Sequence, residues 1–363
     1  MILLPWQPWR NREVFVAPSQ PASGVCLSDI TVLIPARDEA ELIAATISAL
    51  AEQGHGLKII LIDDHSADGT EEAALAVGCP GLSILPGKSL PEAWSGKLWA
   101  LQQGFAKVDT PLTLLLDADI TLAPGTLYGL RRFLQEQELG MVSLMAQPCF
   151  NSVWEKLLMP AFVFFFKLLY PFHLANSNST RVAAAAGGCV LIETRLLKEL
   201  DGFSTIKSSI IDDCALAKQV KSLGVATWIG LSHDAISRRS DRHLAGIWKM
   251  VARTAYTQLA YSPVLLVFCT LSMLLLYWVP VLGMLVAAEP MRWLALAALA
   301  LMWVAYLPTL HFYQRSYLWV LSLPVVAGFY LGMTWDSALR YWKGERARWK
   351  GRIYGSSDEL ESI

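Results

Sequence analysis

Three apolar runs near the carboxyl end, residues 264–286, 293–310 and 317–335, are long and free of charged side chains, and they constrain the architecture more than any other feature of the chain. A helix needs about 20 such residues to cross a bilayer. Three in succession exceed what the core of one soluble domain would use, so residues 261–363 read as transmembrane helices followed by a basic tail. A mean hydropathy of +0.39 agrees with that reading. No charge pair falls inside the runs, which argues against a transport path. The formal net charge of -1 lacks the basic excess of a nucleic-acid binder, so nucleic acid is excluded as a partner. The six cysteines show neither metal-ligand nor disulfide-framework spacing and read as reduced thiols.

Two further segments point to the membrane. Residues 1–28 open with MILLPWQPWRNREVF, apolar and tryptophan-rich before Arg10 and Arg12, which is too short to span and reads as a membrane-proximal segment or the end of an anchor. The stretch 157–175, LLMPAFVFFFKLLYPFHLA, is interrupted by Pro160, Lys167 and Pro171 and reads as an interfacial helix pair. Basic residues flank the spans on both sides: Arg238, Arg239, Arg242, Lys249 and Arg253 before them, then Arg340, Lys343, Arg346, Arg348, Lys350 and Arg352 after them. Cytoplasmic retention of positive charge places both flanks inside, which three full crossings cannot satisfy. A cytoplasmic tail is expected, with one run re-entrant or interfacial, or else an exception to the rule. His233, Arg238 and Arg239 are expected either to meet anionic headgroups or to form a solvated basic face.

Residues 29–260 have a different texture. ITVLIPA at 30–36 is a β-branched run, and the spacing of Asp38 and Glu41 predicts a capping box opening a helix to about Gln53. A strand at 57–63, a helix from Thr70, a short strand at 82–85, a helix containing GKLWALQQGF, the strand LTLLLD and a helix with Pro124 in its first turn follow. Strand and helix in alternation imply an α/β domain with a mainly parallel, Rossmann-like sheet, whose ligands bind beyond the carboxyl ends of the strands.

Acidic residues collect at those ends. Asp63 and Asp64 close one strand, and Asp117 and Asp119 close LTLLL at positions i and i+2, where alternation puts both carboxylates on one side. Carboxylates are hard donors that suit Mg²⁺ or Mn²⁺, and a cation between them and a diphosphate would neutralise both. Aspartates also simply end strands and cap helices, and a lone DxD leaves the two readings evenly balanced. Asp212 and Asp213 open a helix where they could merely complement its dipole. Gly187 and Gly188 would let backbone approach a ligand closely.

IPARDEAE, IDDHSADGT, GKLWALQQG, DAD, GG…DGF, IDD and an arginine before the membrane follow in an order that resembles the family 2 glycosyltransferases. WSGKLWALQQG and RTAYTQLAYSP are most similar to the hopene-associated glycosyltransferases, relatives of ceramide glucosyltransferase. The resemblance covers roughly residues 29–260 and implies a GT-A nucleotide-diphospho-sugar transferase fold. It implies that Asp63 and Asp64 contact the uridine of a UDP-sugar, with Ala36 and Glu39 in the loop lining the same pocket and Lys97 close to the nucleotide. Asp117 and Asp119 correspond to the metal-binding DxD, Asp213 to the general base and Arg253 to the arginine facing the diphosphate. The chain departs from the family pattern at Met250 and Thr254, where glutamine and tryptophan are usual, which favours transfer of a single sugar over polymerisation. Asp212 stands where glutamate is commoner, so either aspartate can be the base, with Asp213 preferred.

The implied enzyme is a metal-dependent (Mn²⁺ or Mg²⁺) hexosyltransferase acting on a lipid hydroxyl, possible lipids including hopanoids. Its place would be the cytoplasmic membrane of a bacterium, multi-pass, with the catalytic domain facing the cytosol. Attack from the face opposite the leaving group predicts inversion. Ceramide-like, carotenoid, glycerolipid or soluble acceptors, and a nucleotide-sugar-binding protein without turnover, satisfy the same residues.

Overall fold

The computed structural model describes residues 4–18, 24–344, 348–349 and 352–353; Arg346 and Lys350 of the basic tail lie outside them. The strands that matter are β1 (Val14–Phe15), β2 (Ile30–Ala36), β3 (Lys58–Asp63), β4 (Leu82–Pro86), β5 (Leu112–Leu116), β6 (Ile120–Leu122), β7 (Met141–Gln147), β8 (Cys189–Glu193) and β9 (Thr227–Ser237). They form one sheet in the order β1-β9-β7-β8-β5-β2-β3-β4, with β6 paired to β9. Most pairings are parallel; β8 runs antiparallel to β5 and β7, and β6 antiparallel to β9. The register sets Ala36 opposite Asp63 and Leu33 opposite Leu115, so β2, β3 and β5 finish on one edge.

Helices cover both faces, which is why the central strands are continuous apolar runs and not alternating ones. On one face Val32 and Ile34 meet Ile43 and Ile47 of α1 (Ala40–Ala51), with α2 (Thr70–Leu75) alongside. On the other, Leu33 and Ile62 meet Leu98 and Leu101 of α3 (Gly96–Phe105). Further helices are α4 (Thr126–Glu136), α5 (Val153–Leu169), α6 (Phe172–Ala175), α7 (Thr194–Glu199) and α8 (Asp212–Ser222).

Helix starts differ from the expected ones. No capping box forms at α1: Glu39 is the N-cap without a side-chain cap bond, Asp38 adopts φ +50°, and Asp68 instead accepts from the Ala40 N–H at 3.0 Å. The helix stops at Ala51, and Gln53 turns inward to bond Leu122, Ala123 and Leu127. Pro124 precedes α4, whose N-cap is Gly125 in the left-handed region at φ +83°. Ser152 and Glu155 form a reciprocal capping box at α5, and Pro160 lies within that helix without ending it.

After α9 (Leu244–Ala252) and α10 (Ala255–Gln258) come the apolar helices. α11 (Pro263–Met273), a π turn at Leu274–Trp278 and α12 (Val279–Val286) are continuous; α13 (Met291–Phe312) follows, and a 3-10 turn at Tyr317–Ser322 leads into α14 (Leu323–Trp342). Pro263–Val286, Met291–Phe312 and Tyr317–Trp342 are each long and apolar enough to cross a membrane. Phe268, Leu285, Trp293 and Leu318 are among the large apolar side chains exposed on them. α5 docks onto this group: Leu158 and Phe164 pack with Ile247, Tyr306 and Val326, and the Tyr330 hydroxyl donates to the Leu158 carbonyl at 2.9 Å. Residues 157–175 fall in α5 and α6, with Pro160 inside α5 and Pro171 as the N-cap of α6. Lys167 points from α5 to Arg10 and Asn11, and Asn11 donates to the Pro308 carbonyl of α13, so the N-terminal segment clasps both.

Candidate active site

The site lies where β2, β3 and β5 end. β5 stops at Leu116, and the turn into β6 is closed by the Ile120 N–H donating to the Asp117 carbonyl at 3.1 Å. Asp117 receives the Lys97 ammonium at 2.8 Å, and Lys97 reaches Asp212 at 3.4 Å. Asp119 accepts from the Ser237 hydroxyl at 2.8 Å and has the Arg239 guanidinium 3.7 Å away. Arg239 donates to both oxygens of Glu39, at 2.5 and 2.7 Å.

These groups line a cavity of about 550 Å³. Met145, Met159, Phe162, Val163 and Met250 also line it, and α9 with the residue after it adds Lys249 and Arg253. Glu155 also faces the cavity; it is held by the N–H groups of Asn151 and Ser152 and the Ser240 hydroxyl. Burial pushes its carboxyl up, and those bonds outweigh burial and leave it below the usual range.

Asp213 begins α8 and lines a small adjoining cavity shared with Lys97, Asp117, Asp212 and Gly187. Its oxygens accept from the Gly187 and Cys214 N–H groups, each at 2.7 Å. Burial, then the charge of Asp212, pushes its carboxyl up to about 6, against Lys97 and those two bonds. Burial also raises Asp117, with Lys97 opposing and Asp119 adding to the rise. Burial alone would lower Lys97, and the surrounding aspartates reverse this, leaving it above its ordinary value. A Cβ at Gly187 would stand 3.3 Å from Asp213 Oδ2 and 3.4 Å from Lys97 Nζ, so glycine keeps the space between them. Gly188 backs onto Ile120, and its carbonyl accepts from the Asp117 N–H.

The expected residues therefore gather in two groups. Lys97, Asp117, Asp119, Asp212, Arg253 and Glu39 share the large cavity, and Asp213 and Gly187 stand just behind it. Ala36, Asp63 and Asp64 lie at the same sheet edge but outside it, next to Pro35, which does line it. Asp64 is 2% exposed, its N–H donates to the Ala36 carbonyl, and Arg37 lies 3.5 Å from its carboxylate. Asp63 accepts from the Ser66 N–H, while its Oδ1 is buried without a hydrogen-bond partner. Glu39 lines the large cavity in direct contact with Arg239.

Sequence reasoning missed Arg239, Glu155 and the methionine wall as parts of this cavity. His233 of β9 and the two arginines after it do not form one headgroup surface: Arg238 donates to Thr121, Arg239 joins Glu39, and His233 stacks on Phe312 at 4.1 Å. Among the described residues no three His, Cys, Asp or Glu side chains are grouped to hold a metal by themselves. Two carboxylates completed by phosphate oxygens and water are still an ordinary Mg²⁺ or Mn²⁺ site, so the donor chemistry fits.

A mixed α/β sheet with acidic residues at the ends of β3 and β5, followed by apolar helices, is the GT-A fold. Residues 31–201, just under half of the chain, match the Glycosyl transferase family 2 profile. The 4,4'-diaponeurosporenoate glycosyltransferase of Staphylococcus haemolyticus (strain JCSC1435) is 27% identical over 112 residues, 31% of this chain and 30% of that protein, so the match spans under a third of the relative. The mannosyltransferase PcManGT from Pyrobaculum calidifontis, solved in complex with GDP-Man and Mn²⁺, superposes with a TM-score of 0.55 at 18% identity, covering 91% of this chain and 92% of that one. Glucosyl-3-phosphoglycerate synthase from Mycobacterium tuberculosis, in complex with Mg²⁺ and UDP, gives a TM-score of 0.47 at 17% identity over 68% of this chain and 85% of that one.

Proposed function

We propose that the protein is a membrane-bound inverting glycosyltransferase that moves one sugar from a nucleotide-diphospho-sugar, a UDP-sugar, to the hydroxyl of a lipid. The observation that carries this is the cavity itself, lined both by ionised side chains and by Met159, Phe162 and Val163 of α5, with α5 docked onto the apolar helices. An acceptor with an apolar body and a polar end matches that mixed lining. Met250 and Thr254 support transfer of a single sugar, and hopanoids are among the lipids the sequence resemblance implies.

Asp63, Asp64 and the Ala36 loop would receive the base; the unpartnered Asp63 Oδ1 is an acceptor that an N–H of the base satisfies. Mn²⁺ or Mg²⁺ held by Asp117 and Asp119 would neutralise charge on the leaving diphosphate. Arg253, facing the cavity, stabilises the same charge as it develops, and charge that grows toward the transition state is what lowers a barrier. Asp212 and Asp213 act as a pair: Asp212 opens on the large cavity, and Asp213, with its raised pKa, accepts the acceptor's proton. Attack by the acceptor hydroxyl on the face of the sugar opposite the leaving diphosphate would invert the anomeric centre; an α-linked early product from an α-linked donor, seen by NMR, would refute this. The catalytic domain and tail face the cytosol in this reading, and cleavage of a C-terminal tag by protease outside right-side-out vesicles would contradict it.

The direct test is UDP release from UDP-glucose, UDP-N-acetylglucosamine and UDP-galactose by detergent-purified protein with Mn²⁺, with and without total membrane lipid. Lipid-stimulated release abolished by Asp119→Asn and by Asp213→Asn is expected. Donor-dependent thermal stabilisation without release would favour a binding protein.

A further inference from the structure

Each carboxylate of the Asp117/Asp119 pair already faces a basic side chain. Lys97 lies 2.8 Å from Asp117 and 3.4 Å from Asp212. Arg239 lies 3.7 Å from Asp119 and donates to both oxygens of Glu39. Each cation thus straddles one carboxylate of the pair and one brought from elsewhere in the chain. Glu39 is 7% exposed, and its geometry is that of a tether setting the guanidinium beside Asp119.

We propose that Lys97 and Arg239 are resident counter-charges of the Asp117/Asp119 pair, and that they make divalent-ion binding conditional on the donor's diphosphate. The inference rests on the reading that Asp117 and Asp119 ligate the ion. An ion arriving alone would bring two positive charges up against two others and draw a partner away from each. A charge stripped of its partner in a partly desolvated site is costly. A diphosphate changes the balance, because its oxygens give both displaced side chains new charge-assisted partners. Ion and donor therefore bind with positive coupling, and the coupling is reciprocal.

The test is a Mn²⁺ titration of the full-length protein in detergent, read as loss of the free-ion EPR signal, with and without UDP. In the wild type UDP raises Mn²⁺ affinity by about tenfold or more. Arg239→Gln raises the affinity without UDP by about tenfold and shrinks the UDP effect to match. Arg239→Lys keeps the charge and stays near wild type; a rise as large as that of the glutamine variant overturns the proposal. Asp119→Asn tests the underlying reading: if UDP-dependent Mn²⁺ binding survives it, the ligand assignment fails and the proposal with it. If Asp119→Asn abolishes that binding while Arg239→Gln leaves the UDP-free affinity unchanged or weaker, the ligand reading stands and the counter-charge proposal falls. Should Arg239→Gln not fold, Lys97→Gln makes the same measurement at Asp117 with the same two outcomes.

Discussion

Asp212→Asn is expected to move the acid limb of the kcat/KM profile to lower pH while leaving the enzyme active. Asp213 carries a pKa raised from 3.8 to about 6, first by burial and next by the charge of Asp212. A base works deprotonated, so the rate climbs as pH rises through about 6 and levels off above it. Neutralising Asp212 removes the second upward push, worth on the order of one pKa unit, ~1.4 kcal/mol, for a neighbouring carboxylate. It also takes a partner 3.4 Å away from Lys97, which leaves more of that positive charge for Asp213 and acts in the same direction. A limb near pH ~5 would raise the deprotonated fraction at pH ~5.5 from roughly a quarter to roughly three quarters, about a threefold gain relative to the plateau. The assay is the initial rate of nucleotide release at subsaturating donor between about pH 4.5 and 8, normalised to the plateau. A limb that stays in place or moves up refutes the coupling, and loss of activity at every pH passes the base role to Asp212.

Asp117→Asn is expected to lower turnover by roughly 10² or more with the fold intact, checked by nucleotide release beside a thermal unfolding curve. Lys167 is 2% exposed and burial lowers it from 10.5 to about 8, so the unfolded chain binds more protons than the folded one between those values. The folded protein should therefore gain stability as pH rises from about 8 to 10.5, and the gain, at most ~3 kcal/mol, should vanish in Lys167→Met when unfolding midpoints are compared across that range. Gly81 has φ +86°, and a Cβ there would stand 2.3 Å from the Leu57 carbonyl oxygen. Gly81→Ala should cost ~2 kcal/mol in denaturant unfolding and leave kcat unchanged, since the turn before β4 is remote from the cavity.

What was legible in the sequence was local. The β-branched run of β2, the leucines of β5 ending at Asp117, the helix containing GKLWALQQGF and the three apolar spans each carry their signal within one element, where side-chain period and length are set by the chain itself. The capping of α1 was misjudged for a related reason. Asp38 and Glu41 have the right spacing, but the loop holding Asp68 and Thr70 comes close enough to bond the helix start, and a partner supplied by another strand end leaves no trace in the local pattern. The direction of β8 was equally hidden, because an apolar run such as CVLIE packs between helices whichever way it points.

The cavity shows the same limit at the level of chemistry. Arg239 and Glu39 are 200 positions apart, and their contact exists only because β2 and β9 both finish at the edge that also holds Asp119. Two adjacent arginines after a strand read from sequence as one basic surface, yet they part: Arg238 reaches Thr121 on β6 while Arg239 enters the cavity. The apolar wall has an analogous origin. Met159, Phe162 and Val163 belong to a helix whose composition advertises a membrane surface, but Leu158 and Phe164 on that helix are spent on contacts with α9, α13 and α14. The same 17-residue helix therefore uses its apolar side chains both to anchor the α/β domain to the apolar helices and to line the cavity. A substitution at Leu158 acts on the first task, whereas one at Met159, which lines the cavity and packs against the same cluster, acts on both, although the two stand side by side in the sequence.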